Sequence, residues 1–347
     1  MNPAGVEIDE NRRGRQPVSY LIMESFYIAF APLQGYTDCV YRKAHCEVAG
    51  GVDEYYTPFV RLEGEGVRKK DMRDIDFRSN AGVPTVPQVI ARDREEFARL
   101  CDAVQGEGWD RIDLNMGCPF PMQVKAGRGS GLLQYEARVG EIAEEMQRRN
   151  EVAFSVKMRL GQELAEESIR LLPIVNEMPL KHVVLHPRVG KQQYKGIPDK
   201  EAFGRFFEGC RHPMVYNGDV ASLEQIGVIT EAFPGLKGVM VGRGLLARPW
   251  LFTDKEPMAV LRGMHERVYR YACETLQGDS QILARLHAFW EYQNTLLDKK
   301  QYKAIMKSGS LRRYDEAVLG FRGGRLWGLK VVGIKGFKVL GEKSFMV

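Results

Sequence analysis

From position 26 onward the chain alternates between two periodicities. Short runs rich in Val, Ile and aromatic residues, each ended by Gly, Pro or a polar residue, are separated by longer stretches whose apolar positions recur at helical spacing. The runs predict strands at 26–33, 52–58, 85–91, 111–115, 153–158, 182–186, 214–217 and 238–241. The spacers predict helices at 38–49, 93–105, 134–149, 162–176, 200–210 and 222–233, the first capped by Asp38. A strand with its crossover helix takes roughly 30 residues, which is the spacing of these runs. Strands alternating with helices require a parallel sheet, and eight such units close most simply into a (β/α)8 TIM barrel of the α/β class. An open doubly wound sheet would carry Gly-x-Gly-x-x-Gly after its first strand. The first turn is instead Pro32-Leu-Gln-Gly35. The run Gly127-Arg-Gly-Ser-Gly131 follows a loop and reads as a flexible active-site loop.

Past Pro249 the pattern changes. No strand signal occurs between about 256 and 315, and Val260, Leu261, Met264 and Val268, then Ile282, Leu283, Leu286, Phe289 and Trp290, fall at helical spacing. A barrel domain over 23–252 is therefore expected to precede a small all-α domain of two or three helices over 253–318. Residues 1–22 are polar without periodicity and are expected to be a disordered extension, with Met23 an alternative initiator. Residues 319–347, rich in Gly, Lys and Arg, are expected to form a basic tail of undefined structure.

Composition narrows the class without naming it. Of 347 residues, 44% are hydrophobic and 27% charged, which indicates neither a disordered chain nor a membrane protein, and runs such as Val239-Met-Val241 are too short for a bilayer. Glu7, Asp9, Glu10, Arg12 and Arg13 occupy the place of a signal peptide's apolar core, so a cytoplasmic address is expected. The six cysteines include no Cys-x-x-Cys pair and are read as free thiols, with no metal site. A net charge of +5 is compatible with a polyanionic partner and decides nothing alone.

A barrel's working residues lie at the carboxyl ends of its strands. Here those tips carry Pro32, Gln88, Asn115 with Cys118, Lys157 and Arg159, His186-Pro-Arg188, Asn217-Gly-Asp219 and Gly242-Arg-Gly244. No carboxylate pair or His-rich metal set is among them. Gly218, Gly242, Gly244 and Arg243 follow strands seven and eight, where barrels build phosphate sites; the same glycines could serve only as tight turns. Gln88 and Asn115 suit the pyrimidine edge of a flavin, and Lys157 can place positive charge beside its ring, although a strand-end lysine can also simply snorkel. Cys118 could be a structural thiol or a chemical one. The basic residues of the helical segment, from Arg262 to Arg313, could be a solvated face or a grip on phosphates.

Taken together, Ala31-Pro-Leu-Gln-Gly-Tyr-Thr-Asp38, Pro87-Gln-Val-Ile-Ala91, Asp113-Leu-Asn-Met-Gly-Cys-Pro119, Val156-Lys-Met-Arg-Leu-Gly161, His186-Pro-Arg188, Asn217-Gly-Asp-Val220 and Gly242-Arg-Gly244 resemble the tRNA-dihydrouridine synthases. The resemblance covers roughly residues 26 to 310. It implies an FMN-binding barrel, a helical domain that binds tRNA, and NADPH-driven reduction of a uridine C5=C6 bond. It also implies Cys118 as the acid that protonates C5. Pro32, Gln88, Lys157, His186, Asn217, Gly218, Asp219, Gly242 and Arg243 fall on flavin-binding positions. Asn115, Arg159 and Tyr194 fall where uracil is held. No metal, no membrane and a monomer are expected. A flavin barrel reducing a free pyrimidine or enone is the alternative the same tips allow.

Overall fold

The structure, a computed structural model, describes residues 26–64, 66–293 and 296–319; the expectations for 1–22 and for 320–347 lie outside them. Strands β1 (Tyr27–Phe30), β2 (Glu54–Tyr56), β5 (Thr85–Val86), β6 (Gln88–Val89), β7 (Arg111–Met116), β8 (Ala153–Gly161), β9 (Leu180–Val189), β10 (Met214–Tyr216) and β11 (Gly238–Val241) form one sheet. A small antiparallel hairpin, β3 (Leu62–Glu63) and β4 (Gly66–Val67), stands apart. The sheet runs β5-β2-β1-β11-β10-β9-β8-β7-β6, with every pair parallel.

Its two ends are one piece of chain. β5 and β6 flank Pro87, which has no N–H to give the ladder, so a single barrel strand is split by its proline. One half pairs with β2 and the other with β7. Thr57 Oγ1 accepts the N–H of Gln88 at 3.0 Å just past the break. Eight strands therefore close, as the alternation of elements predicts.

Three helices of the barrel begin at aspartate caps, of which Asp38 is the one expected. Asp38 accepts from Tyr41 N at 3.0 Å, Asp93 from Glu96 N at 2.9 Å, and Asp199 from Ala202 N at 2.9 Å, opening helices Cys39–Val48, Arg94–Gly106 and Lys200–Gly209. β8 and β9 run past their expected ends, because Lys157, Arg159, His186 and Arg188 interrupt the apolar pattern yet remain strand residues that face inward. Helix Lys69–Ile75, the hairpin and the short helices Pro121–Lys125 and Arg243–Ala247 carry too little periodicity to be expected.

One expectation is overturned. The run 127–131 is not a flexible loop: Gly129, Ser130 and Gly131 are buried at the start of a 3-10 turn, Gly129–Gln134. A Cβ on Gly129 would lie 2.5 Å from Cys118 O, and one on Gly131 would lie 2.6 Å from Val124 O. Close approach of backbone, not mobility, is what the glycines provide.

Helices Pro257–Thr275, Gly278–Trp290, Lys299–Met306 and Leu311–Leu319 follow the barrel. Among the described residues these are four where two or three were expected, since Asp298, accepting from Lys300 N at 2.9 Å, opens a separate helix. They enclose Met264, Val268, Leu286, Phe289, Trp290 and Tyr314. Trp290 Nε1 donates to the Tyr314 hydroxyl at 2.6 Å. The first of these helices packs on Cys39–Val48, close enough that a Cβ on Gly263 would meet Val48 Cγ1 at 2.9 Å. Arg267–Glu47 at 2.8 Å and Arg285–Asp38 at 2.6 Å join the helical segment to the barrel. Within the described residues no helix is long and apolar enough to cross a membrane.

Candidate active site at the carboxyl ends of the strands

Side chains alternate across a strand, so residues two apart share a face. On β7, Ile112, Leu114 and Met116 pack outward against helices while Arg111, Asp113 and Asn115 enter the barrel. On β8, Phe154, Val156 and Met158 pack outward while Ser155, Lys157 and Arg159 enter. Register sets Gln88 beside Asp113, Asn115 beside Lys157 and Arg159 beside His186. One half of the upper barrel interior is consequently polar, whereas Ala29, Ala31, Val86, Val184, Val215 and Met240 fill the rest.

Above this layer lies a cavity of about 470 Å³. All thirteen residues named as site positions from the sequence line it: Pro32, Gln88, Asn115, Cys118, Lys157, Arg159, His186, Tyr194, Asn217, Gly218, Asp219, Gly242 and Arg243. Pro58 and Phe59, at the tip of the strand expected at 52–58, also line it, as does Tyr292, which nothing in the sequence pattern marks.

The thiol sits on a braced turn. Asn115 Oδ1 accepts the N–H groups of Gly117 at 3.0 Å and Cys118 at 2.8 Å, and Cys118 O accepts from Ser130 N at 3.1 Å and Ser130 Oγ at 3.0 Å. Both lone pairs of the Asn115 oxygen are thereby used and one amide hydrogen goes to Gln88 Oε1 at 2.7 Å, so only the second amide hydrogen remains for a ligand. Burial raises the Cys118 pKa, against the opposing pull of the Phe120 N–H and of the Arg159 and Lys157 charges. The thiol keeps its proton at neutral pH.

Two cations flank it. Lys157 is lowered to about 8, first by burial and then by Arg159, with Asp113 and Cys118 acting the other way. Arg159, buried, ties the turn after β7 to the end of β9 and the loop that follows it by donating to Gly117 O at 2.9 Å, Val189 O at 3.1 Å and Gln193 O at 2.7 Å. Those bonds use three of its five N–H groups and leave those of Nη2. Its guanidinium lies 5.5 Å from the Tyr194 ring and that of Arg243 lies 4.5 Å from it, so the exposed tyrosine is held between two cations.

Across the barrel, Asp219 takes a left-handed backbone with φ of 46° and is bridged by Arg188 and Arg243, the latter at 2.7 Å. Burial opposes its ionisation, yet the bonds and charges of both arginines win and lower its pKa. Two guanidiniums against one carboxylate leave this tip positive. Gly244 is dictated by packing, since a Cβ there would fall 2.1 Å from Val220 O and separate the two loops. Arg188, fully buried, is visible in the sequence only as part of the motif His186-Pro-Arg188. Its Nη1 donates to His186 Nε2 at 3.0 Å, and because arginine only donates, His186 is an acceptor at Nε2 and carries its proton on Nδ1. Burial, then the charges of Arg159, Lys157, Arg188 and Arg243, hold that imidazole neutral.

Fold and site together define an enzyme of the TIM-barrel class. Residues 29–318 match the family described as Dihydrouridine synthase (Dus), and the chain belongs to that family. It is similar to tRNA-dihydrouridine synthase B of Pseudomonas aeruginosa, 26% identical over 293 residues that cover 80% of this chain and 86% of that protein. The protein of the same name from Pseudomonas putida is 27% identical over 232 residues, 66% of this chain and 67% of that one. A tRNA-dihydrouridine(47) synthase-like protein of Rattus norvegicus is 34% identical over 151 residues, which span 42% of this chain and 23% of that protein. Among solved structures, histamine dehydrogenase from Rhizobium sp. 4-9 superposes with a TM-score of 0.50 at 12% identity, covering 70% of this chain and 49% of that one, and shares the fold.

Proposed function

We propose that this chain is an FMN-dependent tRNA-dihydrouridine synthase, working in the cytoplasm, that uses NADPH to reduce the C5=C6 bond of specific uridines in tRNA. The observation that carries the reading is Cys118, a protonated thiol on a braced turn in the wall of a cationic cavity. The residues present suit the flavin: the cavity is within the usual range of roughly 300–1,000 Å³ for small-molecule sites. Its net positive tip at Arg188, Asp219 and Arg243 suits a phosphate, and the amide hydrogens of Gln88 and Asn115 suit ring acceptors. When bound, FMN takes reducing equivalents from NADPH and supplies the hydride for C6.

The chain's own residues do the rest. Arg243, with the loops at Asn217, Gly218, Asp219 and Gly242, anchors the phosphate, while Pro32, Gln88, Lys157 and His186 surround the ring. Lys157 adds positive charge where reduction builds negative charge. Asn115, Arg159 and Tyr194 orient the uracil. Cys118 holds a proton on Sγ and delivers it to C5, and a thiol with pKa above the ordinary value of about 8.5 is an acid that remains loaded at neutral pH.

A uridine inside folded tRNA has to be unstacked to reach this cavity, at a cost of a few kcal/mol. Lys299, Lys300, Lys303 and Lys307, on or beside one helix of the C-terminal segment, are placed to offset that cost at phosphates. Arg267, Arg270, Arg285 and Arg312 are committed to ion pairs with Glu47, Glu266, Asp38 and Glu316. The test is Cys118→Ala, scored by dihydrouridine in tRNA: flavin colour and NADPH oxidation should persist while product formation stalls. Undiminished product would remove the acid role. Turnover of free uracil or an enone, indifferent to tRNA, would replace the substrate.

A further inference from the structure

Beneath the thiol runs a chain of hydrogen bonds with a single direction. The Cys118 and Gly117 amides donate to Asn115 Oδ1; Asn115 Nδ2 donates to Gln88 Oε1 at 2.7 Å; Gln88 Nε2 donates to Asp113 Oδ2 at 2.7 Å. Ser155 Oγ donates to the other carboxylate oxygen at 2.6 Å. Asp113, Gln88, Asn115 and Ser155 are all buried. A primary amide can face either way, and nothing in Gln88 or Asn115 by itself chooses between its oxygen and its nitrogen. The backbone amides at the upper end require an acceptor from Asn115. Burial raises the Asp113 pKa to about 6, against the bonds from Ser155 and Gln88 and the charge of Lys157, so at neutral pH the group is a carboxylate that can only accept. It turns the Gln88 nitrogen downward, the Gln88 oxygen towards Asn115, and the Asn115 oxygen towards the Cys118 turn.

We propose that Asp113 is a positioning residue for the catalytic thiol: from three side chains away its acceptor-only carboxylate fixes the orientation of Gln88 and Asn115, and through them the turn that carries Cys118. Asp113 touches neither cofactor nor substrate in this scheme. It also fixes which atoms of the two amides face the cavity, namely their second amide hydrogens, so a ligand meets donors there. The inference rests on the proposed reaction only for its kinetic arm.

Two substitutions separate direction from charge and from packing. In Asp113→Asn the new amide can give its NH2 to Ser155, whose hydroxyl can turn to accept, while its oxygen still receives Gln88; the direction survives without the charge. In Asp113→Ala the lower acceptor is gone. The first readout is hydrogen exchange of the Gly117 and Cys118 amides in the cofactor-free protein. Protection should fall at least tenfold in Asp113→Ala and stay within threefold of the parent in Asp113→Asn. The second readout is single-turnover product formation by pre-reduced enzyme with tRNA, which should fall at least tenfold in the alanine variant and recover in the asparagine variant. Asp113→Asn combined with Ser155→Ala, which removes the group that directs the new amide, should lose the recovery and serves if the alanine variant does not fold. Equal damage from Asn and Ala, or protection unchanged in Ala, would overturn the role of Asp113. A parent enzyme that forms no dihydrouridine would instead overturn the proposed reaction, leaving the exchange result to stand by itself.

Discussion

Replacing Gly129 by alanine tests whether the wall behind Cys118 sets the rate. The residue adopts φ of +60°, and the added Cβ would lie 2.5 Å from Cys118 O, 3.0 Å from Cys118 Cβ and 3.1 Å from Cys118 N. These are backbone or near-backbone atoms that cannot swing aside, so either the thiol turn or the 3-10 turn has to shift. The left-handed backbone alone costs roughly 1–2 kcal/mol for a residue with a Cβ. Relief of the overlap needs a displacement approaching 1 Å, which at a catalytic group can cost about a hundredfold in rate. Gly127→Ala is the matched control. Its φ is +74°, but its nearest neighbour is Arg138 Nη1 at 3.0 Å, the free end of a long side chain. Both variants should therefore lose comparable backbone stability, a melting shift of about 2–4 °C per kcal/mol for domains of 150 residues or more. Only Gly129→Ala should lose most of its dihydrouridine-forming rate. The assay is single-turnover reduction of tRNA by pre-reduced enzyme alongside thermal unfolding. If Gly129→Ala turns over at the parent rate, or Gly127→Ala is slowed as much, the turn does not position the thiol through this close approach.

Two further outcomes follow from the charges. Lys157, lowered to about 8 by burial and Arg159, is cationic below that pH and neutral above it, so FMN binding to the apoprotein should weaken as pH rises through about 8. Equilibrium titration should show this limb in the parent and not in Lys157→Met; a flat parent profile would detach the lysine from the flavin. Replacing Lys299, Lys300 and Lys303 together by alanine should weaken tRNA binding and make the slope of log K against log salt shallower by about 1 for each phosphate no longer neutralised, measured by filter binding at several salt concentrations. An unchanged slope would put the RNA elsewhere.

Polar residues alternating with apolar ones in Arg111-Ile-Asp-Leu-Asn-Met116 already state that Asp113 and Asn115 share a face. In a parallel sheet covered by helices on the outside, that face has only the barrel interior to enter. The cap at Asp38 is legible for a similar reason: a short side-chain acceptor three residues before an orphan amide acts locally. Gly127 to Gly131 misleads because a glycine needed for close approach and a glycine needed for mobility look alike until the neighbouring chain is in place. Arg188 has no role that its own segment reveals, because its partners, Asp219 and Gly196, become neighbours only after folding.

By itself, then, the sequence determined the barrel strands and the helices between them, the barrel they build and which residues occupy its strand tips, since each depends on spacing within a few tens of residues; the short helices and the hairpin it did not. The tertiary structure decided which atoms those residues still have to offer. Closure of the ring at Pro87 sets Gln88 between Asp113 and Asn115, and hydrogen bonds between residues 25 and 27 positions apart, with that from the Cys118 amide, then engage both amide oxygens and one hydrogen of each amide, leaving the second hydrogens. That assignment depends on which donors and acceptors meet across strands, a property of the closed barrel that no one segment carries.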